Sequence, residues 1–321
     1  VVLFIVVDKV VAESVLAVPL IAAKYATGGL LAGKPMTERV LMDPAGLGVP
    51  LWSFFWGLIG WGSLLVTLGL TAALAHWLEK RSLGELGLRP QGRMARDLLA
   101  GLGLAAVFFV SVAGVGAARG LYTVHFAAPD ADAAAIAGVG FILLLPFAAV
   151  EEISMRGYVL NAASRSWGKA GGLAASTLLF AGLHGFNPHF KDQPLALAGL
   201  LLAGLYLGSA YLITGNLWFP IFLHTGWNLL EGPVFGFPVS GNALSISIFH
   251  SASTGPKLWT GGSFGPEAGL LLCLLMAVHI AALWAMSPAL RPRGPAAEPP
   301  AGGEAPSRVE AEASYRAIPI R

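Results

Sequence analysis

Apolar stretches of about 20 residues, the length that crosses a bilayer as a helix, recur along the whole chain. Eight are read, at roughly 1–23, 51–78, 98–117, 137–160, 171–187, 195–213, 217–235 and 268–286. Asp8, Lys9 and Glu13 interrupt the first. The runs are rich in Leu, Ala and Gly and lack period-two alternation, so helices are expected and strands are not. The fold class is therefore all-α, a polytopic membrane protein of about eight transmembrane helices. Residues 1–286 form the helical domain. From Ser287 the pattern stops: residues 287–321 are rich in Pro and Glu and poor in apolar side chains, which reads as a disordered tail.

Composition narrows the class further. Residues AVILMFWYC make up 55% of the 321, and charged residues only 12%, about half of the ~25% usual in soluble domains. So few charges cannot solvate a globular surface, which excludes a soluble enzyme. The net charge of +2 comes without a basic patch, so no nucleic-acid partner is expected. The single cysteine, Cys273, excludes a disulfide framework. Lys80, Arg81, Arg89, Arg93 and Arg96 crowd one loop, and Arg165, Lys169 and the tail arginines fall on the same side of the alternating topology. By the positive-inside rule both termini face the cytoplasm. Ala-, Gly-, Pro- and Leu-rich composition suggests a bacterial inner membrane.

Ionisable side chains within such spans are costly, and they mark functional candidates. Glu151 and Glu152 continue directly from the apolar run Phe141–Val150. Glu152 and Arg156 are i and i+4 and share a helix face. Glu151 points about 100° away, and its own i+4 residue is Met155, which cannot neutralise it. A poorly solvated, unpaired carboxylate suits general acid–base work. His184 lies on an otherwise apolar helix with Phe180 one turn before it. His224 and Asn228, again i and i+4, aim two polar groups at one spot. Counted from a turn between Ala163 and Ala170, Glu151 and His184 stand at about 18 and 21 Å of helix rise, so they can meet. Each cluster also has a plainer reading, as an interfacial salt bridge or as polar glue between helices. Glu231, seven residues after His224, is a further candidate for lining a cavity; His279 reads as a structural histidine. Gly204 and Gly208 form a GxxxG spacing that suits close helix contact.

The three segments together resemble the CPBP family, also called the Abi or type II CAAX prenyl endopeptidase family. Its pattern is EExxxR, FxxxH and HxxxN/D on successive transmembrane helices. Here these are Glu151-Glu152-x-x-x-Arg156, Phe180-x-x-x-His184 and His224-x-x-x-Asn228, within a motif core of about 137–230. The resemblance implies an intramembrane endopeptidase acting on a peptide or protein in or at the membrane. It implies that Glu151 and His184 activate water and that His224 and Asn228 stabilise the oxyanion. Glu152, Arg156 and Phe180 would support the site. No cofactor is expected in this reading. The alternative is a zinc-dependent version with Glu151, His184 and His224 as ligands, although no HExxH pair is present. A second alternative is a non-catalytic scaffold or immunity-type factor.

Overall fold

The computed structural model of the protein describes residues 49–89, 92–127, 130–244 and 247–290. Among them the long helices are α1 (Val49–Glu79), α2 (Met94–Ala118), α3 (Asp130–Glu152), α4 (Asn161–Leu183), α5 (Ala196–Thr214), α6 (Trp218–Leu229) and α7 (Leu270–Ala285). A π-helical segment, Ile153–Leu160, joins α3 to α4 without a break. A shorter π turn, Leu230–Val234, extends α6.

Four helical runs among the described residues are long and apolar enough to cross a membrane: Trp56–Glu79, Met94–Ala118, Ala133–Phe186 and Ala196–Thr214. Fewer such runs are thus found among the described residues than the eight spans expected. The expected spans 137–160 and 171–187 lie on the one 54-residue run, which bends at Gly168. That residue has φ 68° and ψ 173°, a conformation open to glycine and costly for others. The expected span 217–235 holds only 12 residues of regular α-helix, about 18 Å by the helical rise. Leu270–Ala285 is apolar but shorter than the four. The expected span 1–23 lies outside the described residues, as does the tail beyond Leu290; Ser287–Leu290 form one more helical turn.

Strands are also present, against expectation. β1 (Tyr122–Phe126) pairs antiparallel with β2 (Phe249–Ser253), with Tyr122 opposite Ser253 and Phe126 opposite Phe249. Five-residue strands are too short to register in a pattern read for 20-residue spans. β1 (Tyr-Thr-Val-His-Phe) is rich in β-branched and aromatic residues, whereas β2 (Phe-His-Ser-Ala-Ser) has little strand propensity of its own.

α6 occupies the centre. Every residue from Phe219 to Trp227 is buried, because α2, α3 and α5 surround the helix. This is how a short, polar-bearing helix persists at membrane depth: protein, not lipid, faces its polar groups. Two devices hold it. At its start, Asn216 accepts from the backbone N–H of Phe219 at 3.0 Å and donates to Asp97 at 3.2 Å, tying the helix to α2. Asp97 in turn pairs with Arg93 at 3.5 Å. Along its length, Gly101 of α2 lies so close that an added Cβ would stand 2.8 Å from the Leu223 amide nitrogen. One turn farther on, Trp227 stacks on Phe108 at 4.7 Å and meets Phe109 edge-on at 4.9 Å. Gly204 and Gly208 of α5 make comparable close contacts with Thr177 and Leu173 of α4.

Candidate active site

The π segment begins where α3 delivers its two carboxylates. A π turn is wider than an α turn and leaves backbone carbonyls short of partners. Asn161 answers this by donating to the carbonyls of Arg156 at 3.1 Å and Gly157 at 2.9 Å. All eight π-segment residues are buried, so Glu152 and Arg156 sit in the interior with 0% side-chain exposure each.

That burial demands charge balance. Arg156 Nη1 donates to Glu152 Oε1 at 2.7 Å, and its Nη2 donates to the Gly204 carbonyl at 3.1 Å. The guanidinium also lies 4.6 Å from the centre of the Phe180 ring, a distance at which a cation is attracted to the π face. The same ring packs against His184 at 4.5 Å and His224 at 6.0 Å. Phe180 therefore touches every basic group of the cluster.

Both imidazoles have their Nδ1 atoms committed. His184 Nδ1 is 2.8 Å from the Phe180 carbonyl. A carbonyl only accepts, so Nδ1 carries the proton and the Nε2 of the neutral ring is a base. His224 Nδ1 is 2.8 Å from Glu152 Oε1, again an acceptor. Both Nε2 atoms face Glu151. Its Oε2 lies 3.8 Å from His184 Nε2 and 3.9 Å from His224 Nε2. The Glu151 side chain is 37% exposed, unlike its fully buried neighbour.

These residues border a cavity of about 370 Å³. Glu151, His184, His224 and Asn228 all line it, with Met155, Phe180 and Leu207 among the apolar walls. Glu152 and Arg156 lie behind the wall. The chemistry available is that of a carboxylate, an acceptor nitrogen and two further polar groups converging on one water-accessible pocket, with a buried ion pair behind them. Tetrahedral N/O ligands about 2.0–2.1 Å from Zn²⁺ stand about 3.3–3.4 Å apart. The Glu151–His184 and Glu151–His224 separations are wider than that. No group of three or more His, Cys, Asp or Glu able to hold a metal ion occurs among the described residues.

Among the cavity-wall residues not singled out from the sequence are Asn187, Trp227, Ser240 and Glu267. Glu267 had the best chance of being noticed, as an isolated carboxylate at the edge of an apolar run. Glu231 is not in the wall. The π turn that follows α6 rotates it away from the His224 face, and it accepts instead from the Trp227 indole at 3.0 Å.

Comparison with curated proteins and with solved structures returns no match. Residues 133–230 match the family model described as Type II CAAX prenyl endopeptidase Rce1-like. The matched segment spans α3 to α6 and contains all three motifs. The family match and the apolar helices together point to an integral membrane protein of protease type, a family whose substrates are peptides or proteins at the membrane. The match supports the CPBP/CAAX protease family for the motif-bearing segment.

Proposed function

We propose that the protein is an intramembrane endopeptidase that hydrolyses a peptide bond through a water activated by Glu151 and His184. The observation that carries this reading is the 3.8 Å separation between Glu151 Oε2 and His184 Nε2 at the cavity wall. It exceeds a direct hydrogen bond and suits two acceptors that share one water. That water would donate one hydrogen to the carboxylate and the other to Nε2, leaving its oxygen lone pair for the scissile carbonyl carbon. Water attack forms the tetrahedral oxyanion, and the proton released goes to Glu151 or His184. Collapse breaks the C–N bond and returns that proton to the departing amine. The products are a carboxylic acid and an amine, which leave as a carboxylate and an ammonium once the acid proton passes to the amine.

The oxyanion would accept from the Asn228 amide and from His224 Nε2–H. With the His224 Nδ1 proton committed to Glu152, Nε2 donates only when the ring carries a second proton. Glu152 on one side and Glu151 on the other are the charges that balance such an imidazolium. Donors fixed in place in a water-poor pocket stabilise developing charge strongly. Glu152, Arg156 and Phe180 act by holding the two histidines. No step in this reading passes through a metal. In the membrane, the Arg-rich ends of α1 and α2 face the cytoplasm together with both termini, and the membrane is a bacterial inner membrane.

The test is cleavage by purified full-length protein in detergent. Wild type and Glu151→Gln are incubated with prenylated and apolar-tailed peptides, with and without a zinc chelator, and products are read by mass spectrometry. Products from wild type alone, unaffected by the chelator, are expected. Loss of products in chelator, restored by Zn²⁺, would replace the water mechanism by a zinc-dependent one. No products from a folded wild type would overturn the protease reading in favour of a scaffold.

A further inference from the structure

The candidate catalytic groups come from two separate pieces of chain. His184 ends α4 in a 3₁₀ turn, His184–Phe186. His224 and Asn228 ride on α6. Their relative position decides whether a bound carbonyl meets the base and the donors together, and a misplacement of about 1 Å can cost about a hundredfold in rate. Something must hold the end of α4 at a set distance from α6 on the cavity side.

Glu267 and Ser240 supply that connection. Glu267 Oε1 accepts from the Trp227 indole N–H at 3.0 Å, and Trp227 immediately precedes Asn228. Glu267 Oε2 accepts from the Ser240 hydroxyl at 2.5 Å. The Ser240 carbonyl accepts from the Asn187 side-chain amide at 3.0 Å. The Asn187 backbone N–H closes the His184 turn by donating to the His184 carbonyl at 3.0 Å. The path Trp227–Glu267–Ser240–Asn187–His184 is therefore continuous, and each of the first four residues borders the same cavity as His184. Glu267 is itself well anchored. Its backbone carbonyl is seated directly against Gly199 of α5, where any side chain would collide with it. Glu267 and Ser240 are both buried, so competition from water does not weaken the links.

We propose that Glu267 and Ser240 are positioning residues: a brace that sets the spacing between the His184 base and the His224–Asn228 donors. This rests on the roles assigned to those three residues above. The brace touches neither the reacting atoms nor the Glu152–Arg156 pair, so its loss leaves the chain folded and the cavity lined by the same catalytic groups, but out of register.

The experiment uses full-length protein in detergent, as wild type and as Ser240→Ala, Glu267→Ala and Glu267→Gln. Two properties are read: kcat and KM on a peptide the wild type cleaves, and hydrogen exchange of segments 184–192 and 222–230. Ser240→Ala and Glu267→Ala should lower kcat about ten- to a hundredfold with KM within about threefold. Exchange should quicken in both segments at once. Glu267→Gln keeps an acceptor for the indole and a polar partner for Ser240, and should recover most of kcat. Wild-type kcat in a folded Ser240→Ala would overturn the brace, and so would faster exchange confined to one segment. If Glu267→Ala fails to fold, Ser240→Ala alone decides, since it removes only a hydroxyl. If wild type cleaves no peptide, the protease reading fails, and exchange in Ser240→Ala still supports or overturns the brace.

Discussion

The interior holds two pairs of carboxyl groups, and they are managed in opposite ways. Glu151 and Glu152 are neighbours in sequence but are separated by function of place. Glu152 is fully buried and answered by Arg156 at 2.7 Å and His224 at 2.8 Å. Glu151 faces the cavity, with both imidazoles near 4 Å. Glu231 and Glu267 are 36 residues apart in the chain and meet on one indole N–H. Among the described residues their side-chain hydrogen bonds come from Trp227 and Ser240, with none from Lys or Arg. The first pair stores charge and so depends on its cation. The second has no cation and is held by neutral donors, the Trp227 indole and the Ser240 hydroxyl. The lesson is that carboxylate count says little about a site; the partner decides whether a carboxylate is a fixed charge, a base or a strut.

The comparison is broken most forcefully at Glu152. Glu152→Gln leaves the Arg156 guanidinium buried without its counter-ion, which costs about 3–5 kcal/mol. Folded protein should be largely lost, as measured by monodispersity and thermal melting in detergent. A Glu152→Gln protein as stable as wild type would mean the pair is not needed to balance the charge. Arg156→Ala should do comparable harm from the other side.

Glu151→Gln should separate the neighbours cleanly. It removes the general base but no buried ion pair, so turnover should fall by about 10²–10⁴ while the melting temperature stays within a few degrees of wild type. A fall in both would show that Glu151 is structural like Glu152. Asn228→Ala follows in size. Loss of one oxyanion donor typically lowers kcat by about 10²–10³, and KM should hardly change, because the interaction belongs to the transition state.

How much of this was legible in the sequence depends on the distance between partners. Glu152 and Arg156 are one helical turn apart, so their shared face follows from helix geometry alone. Phe180 and His184, and His224 and Asn228, have the same spacing. The helices at 94–118 and 196–214 lie close to the apolar spans read at 98–117 and 195–213. What lies beyond one turn was not visible. Glu267 reaches Trp227 across 40 residues, and Asn187 reaches Ser240 across 53, through loops with no periodicity to read. Fewer runs qualify as spans among the described residues than the eight expected, for a related reason. Hydropathy measures how apolar a stretch is, whereas α6 is shielded by its neighbours and needs neither the length nor the apolarity of a lipid-facing helix. The π turns at 153–160 and 230–234 were also invisible, and the second of them is what takes Glu231 out of the cavity.

Glu231 provides the smallest expected effect and the sharpest contrast. Glu231→Gln introduces an amide with nearly the same shape. Its amide oxygen can still accept from the Trp227 indole, as the carboxylate does at 3.0 Å. No cation is orphaned, because none was paired. The change in stability should stay within about 1 kcal/mol, the size of a typical net hydrogen-bond contribution, and chemical denaturation of the purified protein can resolve it. The same Glu-to-Gln substitution at Glu152 should cost several times more, although both carboxylates are fully buried. Burial alone cannot produce that difference, since it is equal at the two sites. A loss at Glu231 as large as that at Glu152 would mean that the negative charge of Glu231, and not its hydrogen bond, holds the Trp227 node together.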